Sequence, residues 1–127
     1  TGQWQHVAGV YDGSQLRTYV DGELVASLDV DAGWSRRTNG LPLVIGADVA
    51  GGGRPTSFFE GTIDEVRLST TARYRGERFT PARRLASDEH TVALYTFDRK
   101  LGPYVLDASG NGHHARRWGE PTMVNAR

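Results

Sequence analysis

The sequence predicts an all-β protein built as an antiparallel sandwich of two sheets. In short stretches of the chain, the side chains of successive residues alternate between the two faces of a strand. The chain contains sixteen glycines, and glycines and Asp-Gly pairs separate these stretches. Apolar residues never recur at helical spacing over three turns. A chain of 127 residues suffices for one hydrophobic core, so a single domain is expected.

The first part of the chain predicts three consecutive antiparallel strands. Residues 4–11 (WQHVAGVY) and 16–20 (LRTYV) alternate with period two. Neither face of the first stretch is strongly polar, so both of its faces are expected to be covered. Asp21 and Gly22 precede a third stretch, ELVASLDV, and favour a type I′ hairpin turn, because that turn needs positive φ at both central residues.

The remaining strands are shorter and more widely spaced. Residues 31–40 and 47–57 have loop composition, and residues 71–90 indicate a long surface connection with a turn of helix, interrupted by glycine and proline. Further strands are predicted at residues 42–46 (PLVIG), 58–69 (FFEGTIDEVRLS), 91–98 (TVALYTFD) and 104–107 (YVLD), with edge strands at 113–118 and 121–124.

Composition excludes several classes of partner and chemistry. Fifteen basic residues balance fifteen acidic ones, so no field of one sign attracts nucleic acid or anionic lipid. No apolar run of about 18 residues occurs, which argues against membrane insertion. Cysteine is absent, which excludes disulfides and thiolate metal sites.

Four segments carry motifs of a known family, in the family's order. They are W-x-H-V-A-x-V-Y-D-G at residues 4–13, L-R-x-Y-V-D-G-E-L-V at 16–25, P-L-V-I-G at 42–46 and F-x-G-T-I-D-E-V-R-L-S at 59–69. Together they span residues 4–69, about half of the chain, and resemble the concanavalin A-like jelly-roll domains of the laminin-G and pentraxin kind. The resemblance implies a jelly-roll sandwich and a lectin-like or adhesive binding function outside the cell.

The last third departs from the order of that family. A-L-Y-x-F-D at residues 93–98 and D-A-S-G-N-G-H-H at 107–114 resemble the pattern with which such domains usually begin. Three explanations stay open: a second repeat opening within residues 91–127, a permuted domain, or a piece of a tandem array. We expect residues 1–127 to form one module without the family's usual opening strands, completed by another polypeptide segment if those strands are absent.

One turn-rich segment suits calcium. Residues 107–112 offer a carboxylate, an amide carbonyl and flexible backbone within a short span, which fits the oxygen coordination of Ca²⁺. The resemblance implies a structural calcium ion held by Asp64, Asp107, Asn111 and a backbone carbonyl at His113. The alternative is a tight turn in which Asp107 and Asn111 cap their own backbone.

A sugar-binding surface generally needs an exposed aromatic ring beside polar groups. Trp34 in its loop, with Arg36, Arg37 and Asn39 close by, is the best candidate, and Tyr74 is a weaker one. The alternative is that Trp34 folds back on the core.

The acidic residues do not predict catalysis. A retaining glycosidase needs two carboxyl groups about 5 Å apart, and related hydrolases place them on one strand as Glu-x-Asp-x-Glu. Here Asp64 has Thr62 and Val66 as same-face neighbours. We therefore expect no enzyme activity. The family resemblance implies a secreted or cell-surface binding module that recognises carbohydrate, with protein adhesion or assembly within a larger secreted protein as the alternative.

Overall fold

A computed structural model describes residues 2–31, 38–122 and 124. These residues contain no helix, hence none that could cross a membrane, and every strand pairing among them is antiparallel. The all-β prediction is therefore confirmed. The strands are β1 Val7–Tyr11, β2 Gln15–Val20, β3 Glu23–Asp29, β4 Asp48–Val49, β5 Pro55–Thr56, β6 Val66–Ser69, β7 Thr91–Tyr95, β8 Lys100–Leu101, β9 Tyr104–Val105 and β10 Ala115–Arg116.

The strands pair in four small sheets. They have the orders β1-β2-β3, β10-β9-β8, β4-β5 and β6-β7. The turn between β2 and β3 has φ of 51° at Asp21 and 83° at Gly22, which confirms the expected type I′ hairpin. A register shift between Thr18 and Tyr19 marks a β-bulge against β3.

The connection after β6 covers one face of the β1–β3 sheet. Tyr19 of β2 is fully buried there, and its hydroxyl donates to the carbonyl of Gly76 at 2.9 Å. Beneath it Tyr74 and Phe79 stack with ring centroids 3.6 Å apart, and the His6 ring meets both edge-on. The connection is therefore a packing layer for the sheet.

This connection contains no helix, so the expected helical turn is wrong. Its backbone instead pairs with the hairpin: Leu24 N–H donates to Glu77 C=O at 2.8 Å, and Phe79 N–H donates to Gly22 C=O at 2.9 Å. Gly76, with φ of 72°, turns the chain where a helix would otherwise continue.

The opposite face of the same sheet is open. Val7 is 67% exposed and Leu28 is 63% exposed. The expectation that both faces of the first strand are covered is therefore wrong, because no described element packs on the side of Val7.

The central core forms around β7. Thr91, Ala93, Leu94 and Tyr95 are all buried, and β7 pairs with β6 through the register Val66 to Tyr95. The residues that pack with Ala93, Tyr95 and Val105 are Ile45, Val66, Leu68, Phe97 and Ala115. The C-terminal third thus shares its core with strand β6 and with the segment that precedes β4.

Three predicted strands differ in the structure, and one of them is the edge strand expected at 121–124, where the described residues 121, 122 and 124 form no strand. Residues 42–46 form no strand, and residues 58–69 form a strand only over Val66–Ser69. Gly46, with φ of 78°, turns the chain out of the extended region, and its carbonyl accepts a single hydrogen bond from Phe59 N–H at 2.9 Å. This hydrogen bond, and not a ladder of paired strands, joins residues 42–46 to the segment that precedes β6.

Candidate functional site

Asp107 fixes the turn that the sequence singles out for calcium. Its carboxylate is buried next to β7 and accepts hydrogen bonds at both oxygens. One oxygen accepts Leu94 N–H at 2.9 Å and Ser109 N–H at 2.8 Å; the other accepts Ser109 O–H at 2.7 Å and His113 N–H at 3.0 Å. Burial alone raises the pKa of Asp107, but these donors outweigh it and lower the pKa to about 2.

Asn111 and His113 complete the same turn. The side-chain amide of Asn111 donates to the carbonyls of Thr91 at 2.7 Å and Val92 at 3.1 Å. The carbonyl of His113 accepts the Tyr95 hydroxyl at 2.6 Å. Burial, and then the charge of Asp107, raise the pKa of Tyr95, so this hydroxyl keeps its proton and remains a donor. These contacts join the turn to β7.

Asp64 has a different partner. Its carboxylate lies 3.7 Å from the guanidinium of Arg84, which also contacts Glu65 at 3.1 Å. Among the described residues, no group of three or more histidine, aspartate or glutamate side chains is placed to hold a metal ion.

The residues as arranged do not fit a calcium ion at Asp107. A carboxylate offers about four lone-pair sites, and N–H and O–H donors take four at Asp107. The predicted His113 carbonyl already accepts Tyr95. The contacts are those of the alternative, a turn that caps its own backbone, and the calcium assignment stays a prediction.

A second candidate is a polar cleft of about 480 Å³. It lies between the β1–β2 turn and the start of the connection after β6. Its lining residues are Tyr11, Asp12, Thr70, Thr71, Ala72 and Arg75.

Asp12, on one wall of the cleft, is neutralised locally. Its carboxylate accepts Ser14 N–H at 3.0 Å and Gln15 N–H at 2.9 Å, and it pairs with Arg17 at 2.7 Å. The hydrogen bond from Ser14, followed by that from Arg17, holds the pKa of Asp12 well below its usual range. The group is therefore ionised but already compensated.

The opposite wall carries free donors. Arg75 is exposed, and no described residue forms an ion pair or hydrogen bond with its guanidinium. The Thr71 hydroxyl is exposed and likewise has no partner in the described part of the chain, whereas Thr70 donates to His90 C=O at 3.3 Å. The cleft thus presents one uncompensated positive charge beside hydroxyl groups.

The predicted ligand-binding residues have different positions. Trp34, Arg36 and Arg37 lie outside the described residues. The Asn39 side chain accepts Leu41 N–H at 3.0 Å in a local turn. Tyr74 is half-buried and stacks on Phe79, and its role in ligand binding stays a prediction.

The cleft was not predicted from the sequence, because its two walls come from residues that are far apart along the chain. The only local signal is the run STTARYR directly after the strand motif, where Thr71 and Arg75 stand in a polar context.

These features define the class of the molecule as an antiparallel β domain of the sandwich type with polar surface sites. The sequence model of one laminin-G type family, described as the Concanavalin A-like lectin/glucanases superfamily, matches residues 1–77. The match covers more than half of the chain, and the chain belongs to this family. Comparisons with curated proteins and with solved structures found no match.

Proposed function

We propose that the chain is a non-catalytic module that binds carbohydrate within a secreted or cell-surface protein. The observation that supports this function is the polar cleft beside Arg75. Its volume of about 480 Å³ lies within the range of ligand pockets. The family is consistent with binding in general, and carbohydrate is the class that suits a site of this chemistry.

The chemistry of the cleft suits a polyhydroxylated ligand. Thr71 and Arg75 supply hydrogen-bond donors that are exposed and not engaged by described residues. A sugar hydroxyl or carboxylate can accept from both, and an anionic group gains charge-assisted hydrogen bonds from the guanidinium. Because Arg17 compensates Asp12, the opposite wall adds little repulsion toward such a ligand.

The acidic residues of the strand motif support a role without catalysis. Glu65 accepts Leu85 N–H at 2.7 Å and pairs with Arg84, and Asp64 contacts the same guanidinium. A nucleophile and an acid of a glycosidase have to face the sugar, whereas these two carboxylates share one structural arginine.

A glycan array, read with the wild-type chain, tests the proposal. We expect binding that Arg75→Gln weakens at least about tenfold, because a charged hydrogen bond contributes about 1.5–3 kcal/mol. Arg83→Gln is the matched control, since Arg83 is also exposed and has no described partner. Silence across neutral and acidic glycans, or equal losses in both variants, would exclude this cleft as the carbohydrate site.

A second function, assembly with another polypeptide, is favoured by the open face of the β1–β3 sheet. Val7, Leu16 and Leu28 are exposed there at 67%, 38% and 63%. Contiguous apolar surface on a soluble protein commonly marks an interaction site.

A further inference from the structure

The chain contains two Asn-Gly pairs, Asn39-Gly40 and Asn111-Gly112, and each is a place where a peptide can modify itself. In such a pair the backbone nitrogen of the glycine attacks the side-chain carbonyl carbon of the asparagine. Glycine favours this attack because it has no Cβ beside that nitrogen and reaches backbone conformations that other residues avoid. The two pairs have the same local chemistry, so any difference between them comes from the fold.

At Asn39 the side-chain oxygen is hydrogen-bonded, and the side-chain nitrogen is not bonded by any described residue. The oxygen accepts Leu41 N–H at 3.0 Å. Attack by the nitrogen of Gly40 places negative charge on that oxygen, and a backbone N–H already directed at it stabilises this charge. The side-chain nitrogen has to leave as ammonia, and no hydrogen bond to a described residue holds it back.

The backbone around Asn39 also allows the attack. Residues 38–46 belong to no strand, and Gly40 N–H donates to no described residue. Asn39 and Gly40 are both exposed, and a methyl group added at Gly40 would meet no atom within 4 Å. The attacking nitrogen can therefore approach the side chain without opening a strand pairing or a packed contact in the described part of the chain.

The contacts at Asn111 are reversed. Its side-chain nitrogen donates to the carbonyls of Thr91 at 2.7 Å and Val92 at 3.1 Å, and no described residue donates to its side-chain oxygen. Loss of that nitrogen as ammonia breaks two hydrogen bonds to β7, and the oxygen lacks a described donor to stabilise its developing charge. The contact with β7 therefore protects this second pair.

We infer that Asn39 is a site of spontaneous deamidation in the folded chain and that Asn111 is protected from it. The nitrogen of Gly40 loses its proton and forms a bond to the side-chain carbonyl carbon of Asn39, while the bond from that carbon to the amide nitrogen breaks. The amide nitrogen takes up a proton and leaves as ammonia, and a cyclic imide remains. Water then opens the imide at either carbonyl carbon, which leaves an aspartate or an isoaspartate at position 39.

The modification changes a segment that the sequence singles out for ligand binding. Asn39 closely follows Arg36 and Arg37 in the sequence, and each product adds a carboxylate to a chain whose formal net charge is zero. The isoaspartate product also adds one carbon to the backbone path. The age of the chain would therefore alter the charge and the backbone of this segment, whatever ligand the segment binds.

Peptide mapping of the wild-type chain, incubated at neutral to mildly alkaline pH, tests the inference. Trypsin cleaves after arginine and lysine, except before proline as at Arg54, and so places the two pairs in separate peptides, residues 38–67 and 101–116. We expect Asn39 to deamidate at least about tenfold faster than Asn111, because two hydrogen bonds of ordinary net strength correspond to about that factor in rate. Mass spectrometry with chromatography should resolve both an aspartate and an isoaspartate form.

Two controls separate the effect of the fold from that of the local sequence. In guanidinium the two rates should converge, because the hydrogen bonds to both side chains are lost while the Asn-Gly pairs remain. Gly40→Ala should slow the reaction at Asn39 severalfold, because a side chain hinders the attacking nitrogen. The same variant should unfold at the wild-type midpoint and leave the rate at Asn111 unchanged, since its added methyl meets no atom within 4 Å.

Three results would overturn the inference. A rate at Asn111 that equals or exceeds the rate at Asn39 in the folded chain would show that the contacts described do not control the reaction. Aspartate formed without isoaspartate, or a rate at Asn39 that Gly40→Ala leaves unchanged, would exclude the cyclic imide. An Asn39 that stays intact in the folded chain while the unfolded chain deamidates would show that the fold protects this pair as well.

Discussion

Three aspartates each stabilise a turn by accepting several donors at one carboxylate. Asp12 does so before β2 and Asp107 after β9, whereas Asp88 before β7 binds Arg73 with both oxygens and also accepts His90 N–H. The Arg73 contact is the main cause that holds the pKa of Asp88 well below its usual range. Asp107 differs from the other two because it is buried and no cation in the described part of the chain pairs with it.

Replacement of Asp107 by asparagine should destabilise the fold by about 2–4 kcal/mol, because buried donors such as Leu94 N–H lose their acceptor or meet an NH₂ group. Since the four acceptor sites serve the protein itself, we expect equal losses in calcium and in chelator. Thermal unfolding of both proteins in the two buffers measures this. Calcium that raises the melting temperature of the wild type but not of the variant would instead support the predicted calcium site.

The effect of Asp107→Asn on stability should depend on pH. The folded-state pKa of Asp107, about 2, lies below the ordinary 3.8, so the carboxylate contributes stability that is complete above about pH 4 and lost as the pH falls through 2. We expect the difference in unfolding free energy between the wild type and Asp107→Asn to shrink over that interval. Urea titrations at a series of pH values measure it, and a difference that stays constant would show that the carboxylate charge is not the cause.

At the scale of elements, the β2–β3 turn is the most constrained position. Gly22 combines a φ of 83° with close packing, and a methyl group there would overlap the carbonyl oxygen of Phe79 and lie 2.9 Å from a ring carbon of Pro81. The turn is therefore determined both by its own dihedral angles and by the connection that passes over it.

Gly22→Ala should cost more than about 3 kcal/mol, because dihedral strain and overlap with backbone add. Gly13→Ala is the control: Gly13 has φ of 101° but no atom within 4 Å of the added methyl, so only the strain of about 1 kcal/mol applies. Chemical denaturation of the two variants gives the comparison. Equal losses would mean that the connection moves aside.

Local pattern was sufficient to predict the hairpins but not the longer strands. The period of two and the Asp-Gly turn gave β1, β2 and β3 because their partners are neighbours in sequence. Residues 58–69 have the same alternation, yet only Val66–Ser69 finds a partner strand, β7, and the rest stays unpaired. A strand needs a partner as well as a pattern, and pattern alone does not reveal distant partners.

At the scale of the whole molecule, the two candidate sites differ in how far the sequence alone could predict them. The turn after β9 was predicted as a unit because Asp107, Asn111 and His113 are close in sequence, although the sequence could not tell which atoms their polar groups would meet. The cleft joins Tyr11 and Asp12 to residues 70–75 and could not be derived from spacing.

A chain of residues 1–90 tests whether residues 91–127 belong to the same module. We expect it to lose cooperative unfolding, because β6 loses its partner strand and the core loses Ala93, Tyr95 and Val105. Circular dichroism during a urea titration measures this. A shortened chain that unfolds cooperatively at the original midpoint would show that residues 91–127 open a separate repeat.

The pairing of β6 with β7 also determines the order in which parts of the chain can fold during synthesis. The β1–β3 sheet leaves the ribosome before β6 and forms through contacts between strands that are neighbours in sequence, which form fast. Strand β6 has to wait until Thr91 to Tyr95 emerge, more than twenty residues later. During that interval Val66 and Leu68 are exposed because their partner strand has not yet been synthesised. We expect the nascent chain to be most prone to aggregation, and to need a chaperone most, at this stage.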